Sequence, residues 1–112
     1  MKKSKSQLKK EWEEIKEERR IMCGNVCEYC GEKPATEGHH VFGRAKVQSL
    51  ETTRMWDGWC HRGTNYQKRV EETKVICSAE LIEKYGEDEA RKRAGGRLYF
   101  KSEIIKRNKI IE

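Results

Sequence analysis

Cys27-Glu28-Tyr29-Cys30-Gly31, then Glu37-Gly38-His39-His40-Val41, then Trp59-Cys60-His61-Arg62-Gly63 are the stretches whose reading decides the fold. The first is a C-x-x-C pair closed by glycine. Two thiolates at this spacing can hold one zinc ion, because the turn between them points both sulfurs inward. Glycine after the second cysteine relieves the turn and lets backbone N–H groups approach the sulfur. A structural zinc takes four ligands, and Cys60 is the natural third. The fourth stays open. Asp57 stands where a second C-x-x-C would place its first cysteine, and Asp57-x-x-Cys60 can ligate through oxygen. Cys23, at C-x3-C spacing from Cys27, is the sulfur-only alternative. Cys77 ranks behind both and reads better as a small buried apolar side chain.

The three histidines of the chain all lie near these cysteines. On a strand, His39 and His40 point to opposite faces, which suits one imidazole binding a metal while the other takes a proton. His61, at the start of a helix packed on the strands, can close the metal site from the other side. An imidazole titrates near neutrality and is suited to either role.

Around these motifs the chain divides into three segments. Residues 1–22 are charged and helical, with Leu8, Trp12 and Ile15 on one stripe and a capping box from Ser4 and Gln7. Mixed-sign pairs such as Lys9–Glu13 favour a solvated helix docked by Trp12 over a nucleic-acid-binding arm. Residues 23–75 form the core. Within it, 23–34 is turn-rich, 35–42 suits a strand and 50–59 a second strand. A helical pattern then runs from Cys60 to about Val75. Residues 76–112 form a C-terminal helical extension: Ser78 caps a helix through Leu81, Ile82 and Tyr85 that Gly86 stops, and a short helix follows over Glu87–Ala94. The fold class expected is α+β.

Of the 112 residues, 35% are hydrophobic and 39% charged, so the apolar core is thin and a staple is expected. The five cysteines do not read as a disulfide framework. No apolar signal region follows Met1 and no apolar run is long enough to span a bilayer. The expected location is the cytoplasm, where thiols stay reduced and C-x-x-C implies a metal first. A net charge of +6, from 25 Lys and Arg against 19 acids, favours a polyanionic partner such as DNA or RNA, and with no bilayer-spanning run no membrane partner is expected.

The run from Cys27 to Val41, followed by Trp59-Cys60-His61-Arg62-Gly63, resembles the HNH, or ββα-metal, endonuclease family, in particular its small phage-borne members. The matched region covers residues 23 to about 70. The resemblance implies a zinc-stabilised ββα-metal core with flanking N- and C-terminal helices, in the cytoplasm of a bacterium or phage-infected host. It implies DNA, taken as duplex, as substrate. It makes His39 and His61 ligands of a catalytic Mg2+ or other divalent ion and His40 the general base. Cys27, Cys30 and Cys60 hold a separate structural zinc. Arg44, Lys46, Arg62, Lys68 and Arg69 form an expected phosphate-gripping set. The sequence departs from the family pattern at Asp57 and at the central asparagine, near which stand Thr52 and Thr53. Two alternatives accompany this expectation: a zinc module derived from the same scaffold that binds nucleic acid or a protein without cutting, and a structural zinc protein whose histidines complete the zinc shell.

Overall fold

The structure is a computed structural model that describes residues 3–43 and 47–101. Six elements follow one another: α1 (Lys5–Met22), β1 (Glu37–His40), β2 (Thr53–Trp56), α2 (Gly58–Arg62), α3 (Tyr66–Tyr85) and α4 (Glu87–Arg93). The order is strand, strand, helix at the centre, with helices on both flanks. This is an α+β chain with a two-stranded sheet, as expected from the sequence.

α1 begins with the expected capping box. The Gln7 amide donates to Ser4 Oγ at 3.2 Å, and the Ser4 amide donates to Gln7 Oε1 at 2.9 Å. No residue of this helix is fully buried, and Leu8 stays exposed. It docks through Trp12, and through an Arg19–Glu28 pair in which Arg19 Nε and Nη2 both reach the carboxylate at 2.8–3.0 Å. Glu28 also accepts from the Met55 amide, so one carboxylate ties α1 and β2 to the cysteine loop. Gly24 and Asn25 then reverse the chain in the left-handed region. A lone bridge between Val26 and Pro34 closes the loop that carries Cys27 and Cys30.

β1 and β2 are antiparallel, with Glu37 opposite Trp56, Gly38 opposite Met55, His39 opposite Arg54 and His40 opposite Thr53. Every residue of β2 is buried. α1 covers the face carrying Gly38 and His40; a Cβ on Gly38 would lie 2.6 Å from Trp12 Cζ2 and 2.8 Å from Lys16. The other face meets α2.

The helical stretch expected from Cys60 to Val75 is split, and the split falls early. Asp57 caps α2, Asn65 takes a left-handed conformation, and α3 then runs unbroken for 20 residues. Ser78 is therefore no N-cap. It lies buried inside α3, where its hydroxyl donates to Lys74 O at 2.7 Å and accepts from the Tyr99 amide at 3.0 Å. With no glycine or proline between Val75 and Ser78, nothing in the backbone stops the helix there. α3 ends at Gly86, as expected. It passes through position 75, and the main apolar cluster joins both sides of it. That cluster contains Val41 and Phe42 from the loop after β1 and Leu81, Ala90, Ala94 and Leu98 from the C-terminal part. Cys77 lies in the same cluster as a small buried side chain. A second, smaller cluster gathers Cys27, Trp56 and Cys60, with Val70 packed against it. No helix among the described residues is long and apolar enough to cross a membrane.

Candidate metal centre and histidine pair

Cys27, Cys30, Asp57 and Cys60 converge, their ligand atoms all within 4.8 Å of one another. Each arrives from a tight local structure. Gly31 adopts a φ of 70°, and its amide closes back on Cys27 O at 2.9 Å, which turns the two loop sulfurs inward. Asp57 stands immediately before α2. Its Oδ1 accepts from the Trp59 and Cys60 amides at 2.9 and 3.0 Å, while its Oδ2 accepts from Cys30 Sγ at 3.1 Å. The helix cap therefore aims the second carboxylate oxygen at the sulfurs. This resolves the fourth position in favour of Asp57. Cys23 is outside the cluster; its thiol donates to Arg20 O at 3.4 Å in the last turn of α1. Cys77 is outside it too, in the main apolar cluster.

The electrostatics fit a cation. Burial pushes the Cys27 and Cys60 thiols up from their ordinary range, and the Asp57 carboxylate beside Cys60 adds to the rise. Burial works against ionised Asp57 too, but the thiol and amide donors around it outweigh this and hold it well below the usual carboxylate range. Three thiolates and a carboxylate packed this closely repel one another, and a divalent cation removes that conflict. Tetrahedral zinc with sulfur ligands at about 2.3 Å needs sulfurs about 3.8 Å apart. The cluster is already within reach of that spacing, and a Cys3Asp donor set fits zinc. A possible metal-binding cluster of this kind is the clearest chemical feature of the chain.

The histidines are not part of it. His39 stacks on Trp56 with ring centroids 4.3 Å apart, and Trp56 packs in turn against Cys27 and Cys60. His61 meets His39 edge-on at 5.4 Å. Glu37, two residues before His39 and so on the same strand face, accepts from His61 Nδ1 at 2.8 Å and from Arg62 Nη2 at 2.5 Å. These bonds hold the Glu37 carboxyl below its usual range, the His61 contact contributing most. An ionised Glu37 can only accept from His61 Nδ1, which orients the ring and turns Nε2 away from the carboxylate. Burial, reinforced by the neighbouring imidazoles, holds His39 down at about 4, so it is neutral at pH 7. His39 Nε2 is buried and has no hydrogen-bond partner among the described residues.

No protein-family model, curated protein or solved structure matches this chain.

The structure brings His39 and His61 together and leaves His40 apart. His40 points to the opposite face of β1, stacks on Trp12 at 3.7 Å, and shares its Nε2 with Gln48 Oε1 at 3.1 Å. Gln48 in turn donates to Leu8 O and Glu11 on α1. The expected basic set also divides. Arg44 and Lys46 lie outside the described residues. Arg62 and Lys68 are exposed. Arg69 is not a phosphate contact: it is 4% exposed, and its guanidinium donates to the carbonyls of Cys60, Thr64, Trp59 and Gly63. Thr52 and Thr53, considered as stand-ins for the missing asparagine, brace the loop through Ser49, with the Thr53 hydroxyl donating to Ser49 O at 2.7 Å.

Sequence reasoning missed Glu37, Gln48 and the partner of Trp12. Glu37 carried a usable signal, because a two-residue spacing from His39 on a strand places both on one face. Gln48 carried none, since its contact depends on how the loop after β1 meets α1.

Proposed function

We propose that this protein is a metal-dependent endonuclease of the HNH type, with a structural zinc on Cys27, Cys30, Asp57 and Cys60 and a second divalent cation between His39 and His61. The carrying observation is that pair: two imidazoles from different elements, one with a buried unpaired Nε2 and the other with its Nδ1 proton fixed by a carboxylate. A carboxylate behind a histidine is a recurrent support for a metal ligand, fixing ring orientation and raising basicity. Two imidazoles suit Mn2+, Ni2+ or Zn2+ better than Mg2+, which prefers oxygen. The remaining positions would take water and the scissile phosphate. When bound, such a cation supplies charge for the phosphorane and lowers the pKa of its water.

His40 has the proton-accepting role through its place in the motif. To reach the His39 face its ring must leave Trp12 and Gln48. That seat is the observation favouring the second reading, a zinc module that binds DNA without cutting it. Supercoiled plasmid incubated with protein and Mn2+, Ni2+ or Mg2+ decides between them. The nuclease reading expects nicking that His39→Ala and His61→Ala both abolish and His40→Ala reduces at least a hundredfold. No nicking with any of these cations, under conditions where the protein binds DNA, selects the second reading. Wild-type nicking by folded His61→Ala removes the His39–His61 cation.

A further inference from the structure

Trp59 is 54% exposed, whereas Trp56, three residues earlier, is 1% exposed. A half-exposed tryptophan contributes little through burial, so a loosely held ring would be the ordinary expectation. This one is held firmly. A Cβ on Gly63 would lie 2.5 Å from Trp59 O and 2.8 Å from its Cε2 and Nε1, so the glycine exists to let the indole lie flat on the turn after α2. The Arg69 guanidinium carbon sits 4.5 Å from the indole centroid and is itself immobilised by four carbonyls. Lys33 Nζ lies 5.7 Å from the same centroid. The exposed Arg62 is one turn along α2 from Trp59 and joins Glu37, which holds His61. Tyr66, also half-exposed, has its amide on Gly63 O.

An exposed indole set among cations fits a nucleobase on the ring with its phosphates on the cations. Stacking of this kind tolerates any base but needs the base out of its pair. We propose that Trp59 is a stacking platform for an unpaired base of single-stranded DNA, with Lys33 and Arg62 on the adjoining phosphates. The choice of DNA rests on the nuclease reading; the stacking itself does not. In that setting Trp59 and His61 share α2 but stand about 200° apart around it, so a strand held on the indole would have to pass round the helix to reach the histidine pair. The preferred substrate is then a strand end, flap or gap rather than continuous duplex.

The test is fluorescence anisotropy of a labelled thymidine 12-mer and of the matching duplex. It uses protein carrying a single equivalent of zinc, which the cysteine cluster would take first, and no other divalent cation, so that the histidine pair is left empty and cleavage plays no part. The platform predicts that Trp59→Leu, which keeps apolar bulk without a π-face, weakens single-strand binding by about 5- to 100-fold. Duplex binding should change less than twofold, and Trp59→Phe should stay near wild type. Thermal melts of each variant confirm that the fold is kept. Equal single-strand affinity in wild type and Trp59→Leu overturns the proposal, as does an equal loss on both DNAs. So does wild-type protein with no affinity for the single strand. Stacking without plasmid nicking keeps the platform and discards the nuclease; nicking with unaltered binding in Trp59→Leu does the reverse.

Discussion

Asp57 carries two jobs on two oxygens, and substitutions can separate them. Oδ1 caps α2 through the Trp59 and Cys60 amides, and Oδ2 faces Cys30 Sγ in the cysteine cluster. Asp57→Ala removes both. Asp57→Asn keeps a capping oxygen and loses the ligating charge. Asp57→Cys restores a sulfur ligand and gives up the cap. Loss of an Asp cap costs about 1 kcal/mol, which in a domain of this size lowers the Tm by about 4 to 8 °C. With chelator present, Asp57→Ala should show that drop and Asp57→Asn very little. With zinc in excess the ordering changes. If loss of the fourth ligand weakens zinc about a hundredfold, the zinc-linked stability falls by about 2.7 kcal/mol, roughly 10 °C or more on top of the cap. Both Asp57→Ala and Asp57→Asn should therefore lose much of the Tm gained on adding zinc, and Asp57→Cys should regain it. The assay is a thermal melt of each protein in zinc and in chelator. An identical zinc-minus-chelator difference in wild type, Asp57→Asn and Asp57→Ala would show that Asp57 only caps a helix, and the metal centre as drawn would be wrong.

Arg69→Met should destabilise the protein by about 3 kcal/mol or more, because it removes charge-assisted bonds from the buried guanidinium to four carbonyls of the α2–α3 turn; urea unfolding measures it, and a change under 1 kcal/mol contradicts the buried placement. Gly38→Ala should cost about 1 to 3 kcal/mol through overpacking against Trp12 and Lys16, and the same substitution made in a Trp12→Ala background should cost clearly less. Glu37→Gln should weaken Mn2+ or Ni2+ binding at the histidine pair about 10- to 100-fold, measured by titration of the zinc-loaded protein, while leaving zinc content unchanged. His39 lies near 4 in the folded chain against about 6.5 when unfolded. The folded state therefore binds fewer protons between these values. Stability from a neutral His39 is complete above pH 6.5 and is lost as pH falls towards 4, by up to about 3 kcal/mol. His39→Asn should flatten this part of the pH profile relative to wild type, and parallel profiles would refute it.

The elements legible in the sequence were those with strong local signals. The capping box of α1, the turn at Gly31 and the stop at Gly86 all rest on chemistry within four residues. So did the gathering of Cys27, Cys30 and Cys60, because C-x-x-C and Cys60-His61 state their own spacing. What the sequence left open depended on long-range placement. Cys23 and Asp57 were level as ligands until the cap of α2 turned one carboxylate oxygen to the sulfurs. Arg69 looked like any surface cation, since a buried arginine is recognised only by the carbonyls that surround it. Ser78 has the composition of a helix cap, yet its hydroxyl is satisfied just as well by the preceding turn once both sides of it are packed.

α2 joins the cysteine cluster to the histidine pair, and this makes the two sites interdependent. Gly58 leaves room for Arg62, whose Nη2 folds back to within 2.7 Å of where a Cβ would be on its way to Glu37. Cys60 points into the cluster and His61, its neighbour, points to His39 and Glu37. Five residues are too few for a helix to persist alone in water, so what holds α2 is Asp57 at its start, Cys60 in the cluster and Arg69 on its carbonyls. A cation on the cysteines would tie down two of these three. Removing it should therefore loosen His61 before the rest of the fold gives way, and affinity for a second cation at the histidine pair should fall together with zinc occupancy. A histidine pair that binds Mn2+ or Ni2+ equally well in Cys60→Ser and wild-type protein would mean that the imidazoles are placed by the strands alone, and the cysteine cluster would then have no part in the proposed chemistry.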